Sequence, residues 1–190
     1  MRTFAMKMKL LRPRILAPGI LLSAFSVLLG GCNLLPEPQA DPTRHFTLSV
    51  PAATAPGGVE VRPVVLAGHL RNRAMAVRIA ENEVTYLDDA RWAEPLDTGL
   101  AEVLRAELSG VTGDWTVRVE VERFELLAHQ DNAVLLAATC ELRAKGEAGP
   151  RRVNFTSSPR QWDGRDHGDL VGLLRAAAVE LGQHLSAAMK

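Results

Sequence analysis

Hydrophobic positions recur along this chain with two periods, about every second residue in some stretches and every third or fourth in others. The stretch from His45 to Val50 alternates in part, and the break from Pro51 to Gly58 is rich in small residues. Val59, Val61 and Val65 then continue the pattern with Glu60 and Arg62 opposite, so two short strands are predicted here. Met75, Val77 and Ile79, then Val84 and Tyr86, predict a hairpin about Glu81-Asn82-Glu83 that closes at Asp88-Asp89. From about Arg91 to Ser109 the period becomes helical: Leu96, Leu100, Val103, Leu104 and Leu108 share one face, Pro95 suits a first turn and Gly110 an end.

A second hairpin is the clearest in the chain. Val117, Val119 and Val121 oppose Arg118, Glu120 and Glu122, with Phe124 and Leu126 as a continuation. After a turn at Gln130-Asp131-Asn132, every second residue from Val134 to Ala144 is apolar. Arg151 to Thr156 adds a shorter strand, and Leu170, Leu173, Leu174, Ala177, Ala178, Leu181 and Leu185 form the apolar stripe of a closing helix. Strands with one wet face and helices with one dry stripe predict an α+β fold, an antiparallel sheet with two amphipathic helices packed on one face.

The first 31 residues follow neither pattern. Arg2, Lys7, Lys9, Arg12 and Arg14 precede an apolar run from Ile15 to Leu29, and Leu29-Gly30-Gly31-Cys32 ends it. This is the layout of an export signal whose cut falls before a cysteine, a bacterial lipobox in which the thiol takes up a diacylglyceryl group. A permanent membrane helix and a plain cleaved signal are the competing readings; the run is shorter than the roughly 20 apolar residues that a span needs. On this reading residues 1–31 are a signal peptide, 32–43 a lipidated cysteine with a proline-rich tether, and 44–190 a single domain. The tether, about eleven residues, reaches at most roughly 35 Å when fully extended.

Cleavage changes the charge. The whole chain has 22 basic and 22 acidic residues, but the first 31 hold five of the basic ones and no acid, which leaves 17 against 22 and a net charge of −5. An acidic domain is a poor ligand for nucleic acid, whose binding depends on neutralising phosphates. With Cys32 lipidated, Cys140 is the remaining thiol, on the apolar side of a strand, where a small buried residue is expected rather than a nucleophile.

Nothing in the residue pattern argues for catalysis. The histidines 45, 69, 129, 167 and 184 show no metal-ligand spacing, and no Gly-x-Ser-x-Gly elbow is present. The loop from Asp163 to Asp169 gathers oxygen and nitrogen groups. It reads either as a weak metal cluster or as a polar loop in which Asp166 or His167 starts the last helix. We therefore expect no catalytic residue, no metal and no cofactor. Arg71 and Arg73, with Arg78 and Arg62, are candidates for lipid phosphates or an acidic partner, or else a solvated face. Trp92 is either an interface anchor or a core residue that clamps the helix to the sheet.

Three segments carry a family resemblance: Arg44-His45-Phe46-Thr47-Leu48, then Val64 to Leu70 leading through Arg71 and Arg73 to Met75, and Ala90-Arg91-Trp92-Ala93-Glu94-Pro95-Leu96. In this order they resemble the ABC-type transport auxiliary lipoprotein family. The resemblance implies a non-enzymatic, lipid-anchored subunit of an intermembrane lipid transport system, with Arg44, Arg71, Arg73 and Trp92 as partner-binding candidates. The implied partners are a periplasmic protein of the mammalian-cell-entry type and its ABC or permease components, with homo-oligomerisation open. Asn33 after the cysteine agrees with a place on the outer membrane, facing the periplasm of a Gram-negative cell. The alternatives are a lipid carrier or outer-membrane assembly factor with its own apolar cavity, and a periplasmic hydrolase built on the Asp163 to Asp169 loop.

Overall fold

The computed structural model describes residues 40–48 and 58–190. The signal, Cys32, the tether up to residue 39 and most of the small-residue break lie outside the described residues. Among the described residues, nine strands and two helices follow in the order β1 (Arg44–Phe46), β2 (Val59–Val61), β3 (Val65–Leu66), β4 (Ala74–Ala80), β5 (Glu83–Trp92), α1 (Leu96–Leu108), β6 (Trp115–Leu127), β7 (Ala133–Ala144), β8 (Arg151–Thr156), β9 (Arg160–Gln161) and α2 (His167–Ala188). A 3-10 turn at Gly68–Arg71 separates β3 from β4. The fold is α+β, as the two periods predict, and Pro42–Lys190 form one compact unit.

The β6–β7 hairpin is the spine of the sheet. Its register sets Val117 opposite Leu142, Val119 opposite Cys140 and Val121 opposite Ala138. All six side chains are buried on the face covered by the helices. Between Val121 and Arg123 the register slips by one residue. That bulge turns Phe124 and Leu126 to the same inner face although their parity in the sequence is opposite to that of the valines. The turn at the far end holds Asp131 and Asn132 at φ of 51° and 53°, the left-handed region that short polar side chains tolerate.

The sheet is mostly antiparallel, but one side of β6 is a patchwork. β2, β3 and β4 all run parallel to β6, at Val61↔Val117, Leu66↔Val121 and Val77↔Leu126. β1 joins the outer side of β5, also in parallel, with Phe46 opposite Trp92. Periodicity reports which face a strand buries and not which neighbour it pairs with, so these parallel joins have no signature in the pattern.

Two boundaries differ from the expectation. β5 runs past Asp88-Asp89 as far as Trp92, because Ala90 and Trp92 continue the inward series and are buried. Helix α1 accordingly starts at Leu96, with Pro95 as its N-cap rather than in its first turn. Ile79, expected inside with Val77, is 41% exposed beyond a register shift at the end of β4, and Arg78 is buried in its place.

The two helices meet each other as well as the sheet. A side chain at Gly182 of α2 would lie 2.5 Å from Cβ of Glu107 on α1, so glycine is what permits this approach. The stripes Leu96, Leu100, Val103, Leu104, Leu108 and Leu170, Leu174, Ala177, Ala178, Leu181, Leu185 all join one core with the inner faces of β6 and β7. Among the described residues no helix is long and apolar enough to cross a membrane.

Candidate functional site: a groove beside the first helix

The chain leaves β3 through Ala67, whose N–H donates to Val121 O at 2.9 Å, and tightens into the 3-10 turn with Leu70 N–H on Ala67 O at 3.0 Å. Leu70 is buried and fixes the turn to the core. Asn72 Oδ1 then accepts from Ala74 N–H at 3.0 Å, a side-chain turn that starts β4. On the facing segment, Trp92 N–H donates to Arg73 O at 2.7 Å and Ala93 N–H to Phe46 O at 2.8 Å. The strand end is thereby held while Pro95 starts α1. The result is a groove of about 330 Å³ with residues 64–66 and 70–73 along one wall and residues 94–97 along the other.

The groove floor is apolar: Val64, Leu66, Leu70 and Leu96 are buried. Its rims are charged. Arg71 and Arg73 stand exposed on one side, and Glu94 and Asp97 line the other. Val65, one of two large apolar side chains left exposed among the described residues, also lines it at 43% exposure. Two segments that carry the family resemblance are therefore brought together although some twenty residues of β4 and β5 separate them in the chain.

The predicted site residues divide. Arg71 and Arg73 share the groove. Trp92 is 4% exposed and packs on Phe124 with ring centroids 6.1 Å apart, which is the clamping position rather than a surface one. Arg44 lies elsewhere: its Nη1 is 2.8 Å from Asp166 Oδ1, and its guanidinium sits 5.0 Å over the ring of Phe46. Arg62 pairs with Glu60 at 3.2 Å on the exposed face of the sheet.

Arg78 has the least expected surroundings. Its Nε and Nη2 fork onto Glu125 Oε1 and Oε2 at 2.6 and 3.2 Å, and its Nη1 donates to Glu81 O at 2.9 Å. The Glu125 side chain has no exposure at all. His69 Nε2 lies 3.3 Å from Glu125 Oε2, near enough for an ion pair but out of line for a hydrogen bond, so this buried nitrogen has no hydrogen-bond partner. Tyr86 donates its hydroxyl to His69 O at 3.0 Å. The 3-10 turn is thus gripped from behind by a buried ion pair while its other side lines the groove. The sequence signal for this pair is an acid inside the apolar run Phe124-Glu125-Leu126-Leu127, a position that alternation alone does not mark as buried.

The Asp163 to Asp169 loop is occupied with structure. Asp166 is the N-cap of α2, accepting from Gly168 N–H at 2.9 Å, and its own carbonyl accepts from Trp162 Nε1 at 2.9 Å. The Gly168 N–H and then the Arg44 guanidinium hold the Asp166 carboxyl below its ordinary value. Asp163 Oδ1 accepts from Arg165 N–H at 3.0 Å. Among the described residues no three His, Cys, Asp or Glu side chains are grouped to hold a metal ion. Cys140 is fully buried, and burial pushes its thiol up to about 12.

Residues 45–186 match the family model described as the ABC-type transport auxiliary lipoprotein component. No curated protein matches the chain. Among solved structures, an uncharacterized protein is similar with a TM-score of 0.66 and 17% identity, over 78% of this chain and 99% of that one. Protein XCC0632 from Xanthomonas campestris, of family DUF330, is similar with a TM-score of 0.58 and 18% identity, over 75% of this chain and 90% of that one. At such identities the likeness is one of fold.

Proposed function

From the premise that this chain belongs to the ABC-type transport auxiliary lipoprotein family, we propose that it is the lipid-anchored auxiliary subunit of an intermembrane lipid transport system. It receives a periplasmic tunnel protein of the mammalian-cell-entry type at the outer membrane, and the groove beside α1 is where that partner docks. The observation that carries this reading is the convergence of parts of two family-like segments, 64–66 with 70–73 and 94–96, on one groove with an apolar floor and charged rims. A hot-spot pocket ringed by polar groups is the usual anatomy of a protein interface.

The role is binding rather than catalysis. Asp163 and Asp166 of the loop are engaged in turn and capping contacts, and the described thiol is unreactive in its burial. The lipobox at Cys32 supports the anchor: two or more acyl chains hold a protein stably where one does not. The short tether requires that the partner come to the membrane.

The test is affinity capture from solubilised membranes with the full lipidated chain and with its Val65→Lys variant, a change at an exposed position that blocks the groove without touching the core. The wild type is expected to recover a mammalian-cell-entry-type protein with its ABC or permease components, and the variant to lose it. Recovery of the same partners by both chains would remove the groove from the reading. Native mass spectrometry of the same preparation addresses the carrier alternative, since a carrier would show a bound lipid beyond the covalent anchor.

A further inference from the structure

The groove contains the unpaired side of a strand. β3 uses one edge on β6, with Ala67 N–H on Val121 O at 2.9 Å. Backbone groups of successive strand residues point to opposite edges, so Leu66 presents its own away from β6 and into the groove. Among the described residues no neighbouring strand takes that carbonyl. Instead Arg71 Nε donates to Leu66 O at 3.3 Å from within the same groove. A long, weak bond from a charged side chain is a cover for a strand edge, of the kind that proteins use to keep exposed edges from pairing at random. Neither Arg71 nor Arg73 takes part in the ion pairs found among the described residues, so both charges are free to meet an anion.

We infer that the free edge of β3 accepts an extended, acid-bearing peptide segment of a partner protein, and that Arg71 is the latch that opens for it. The inference rests on the groove being the docking site proposed above and names the chemistry of what docks there. The exchange balances hydrogen bonds: an incoming carboxylate takes the Arg71 guanidinium, Arg71 Nε leaves Leu66 O, and a backbone N–H of the segment takes its place on that carbonyl. Main-chain pairing supplies affinity, and the side chains beside it supply choice. An apolar residue of the segment covers the floor at Leu66, Leu70 and Leu96, with Val65 at its side. Arg73 stands next along the rim as the second cation.

The opposite wall decides the class of ligand. Glu94 and Asp97 line the same groove as the arginines, so a phosphate headgroup would meet acidic residues as well as the two guanidiniums. A peptide avoids that conflict, because it brings its carboxylate to one rim and neutral or basic groups to the other. An anionic lipid surface is therefore the disfavoured occupant.

The grip behind the turn gives the latch a fixed base. His69 is held from the far side by Tyr86 and lies against Glu125, so Arg71 can swing without moving the turn. Only a side chain has to move.

The experiment places a photo-crosslinking residue at position 65 in the full lipidated chain, in cells, and sequences the crosslinked segment. A synthetic peptide of that segment is then titrated against the purified full chain in detergent, beside a version with its acid changed to the amide, a version N-methylated at the paired amide, and phosphatidylglycerol vesicles. The expected result is a segment carrying Asp or Glu. Its affinity falls roughly ten- to hundredfold, the worth of a hydrogen bond to a charged group, on acid-to-amide change and in Arg71→Glu. N-methylation is expected to weaken it as well, while Arg71→Lys retains part of the binding. A crosslinked segment without an acid, indifference to Arg71→Glu or to N-methylation, crosslinks to lipid alone, or no crosslink overturns the inference. Loss of binding in Val65→Lys together with indifference to Arg71→Glu would leave the docking groove standing and remove only the strand-edge mechanism.

Discussion

The two halves of β6 treat charge in opposite ways. From Trp115 to Val121 the strand alternates cleanly, with Val117, Val119 and Val121 fully buried against β7 while Arg118 and Glu120 face solvent. Past the bulge, Phe124 and Leu126 face the core, but the other side is covered too, and Glu125 and Leu127 are almost wholly buried there. In the first half a charged residue is cheap because water solvates it. In the second it requires Arg78 within 2.6 Å, and His69 of the turn that shapes the groove lies 3.3 Å from the same carboxylate. Stability and the groove are therefore linked at one end of the strand and separate at the other.

Breaking that link has the largest expected effect. Glu125→Ala strips the buried Arg78 of its carboxylate and is expected to cost about 3–5 kcal/mol in urea unfolding, whereas Arg78→Ala leaves Glu125 with His69 at 3.3 Å and Arg123 at 3.9 Å and is expected to cost less. Glu120→Ala in the first half is expected to stay within about 0.5 kcal/mol, as for an ordinary surface position. The double change Arg78→Met with Glu125→Leu separates the roles of the pair. Its stability should return close to that of the wild type, because removing both charges leaves nothing unpaired, yet capture of the partner through the groove should weaken if the pair positions the 3-10 turn.

A smaller effect tests the helix layer that both halves share. Gly182→Ala pushes a methyl against Glu107 and is expected to cost about 1–3 kcal/mol, the usual range for overpacking. Changing Glu107 to glycine removes both obstructing atoms, Cβ at 2.5 Å and Cγ at 2.8 Å, so Gly182→Ala should cost less in that background than in the wild type. An equal cost in both would mean that the helix backbones themselves set the limit.

The closed state of the first half can be read from Cys140. With its thiol pushed up to about 12 and its side chain fully buried opposite Val119, alkylation by iodoacetamide in native buffer is expected to be negligible and to become complete in denaturant. Slow native labelling that tracks global unfolding would fit. Fast labelling would show that the hairpin centre opens locally.

The smallest expected effect concerns acid. The Gly168 N–H and Arg44 lower the Asp166 carboxyl from 3.8, so its contribution to stability is present above that value and is lost as pH falls through the lower folded value. The Tm difference between wild type and Asp166→Asn should therefore shrink as pH is taken from about 7 to about 2. A difference independent of pH would mean that the cap works without its charge.

Much of this was legible in the chain, and the illegible parts share a cause. The apolar stripes of α1 and α2 and the β6–β7 hairpin can be read directly, since every residue that defines them is a near neighbour in sequence. Phe124 and Leu126 were assigned to the long strand, but the bulge that turns them inward depends on β7. Arg71 and Arg73 were legible as a basic pair; that they face Glu94 and Asp97 across an apolar floor was not. Trp92 was legible as one of two things, and only its burial on Phe124 chose between them.

By itself, then, the sequence determined the kind of each main element, the α+β class and the balance of charge, because periodicity and local motifs depend on residues within a turn or a strand of each other. Only the tertiary structure decided that β2, β3 and β4 line one side of β6 in parallel, that Glu125 is buried with Arg78, and that Leu66, its carbonyl covered by Arg71, lines a groove between distant segments. Those are facts about which surfaces meet. Neighbours across a sheet are chosen by packing among residues far apart in the chain, for which a one-dimensional pattern has no coordinate.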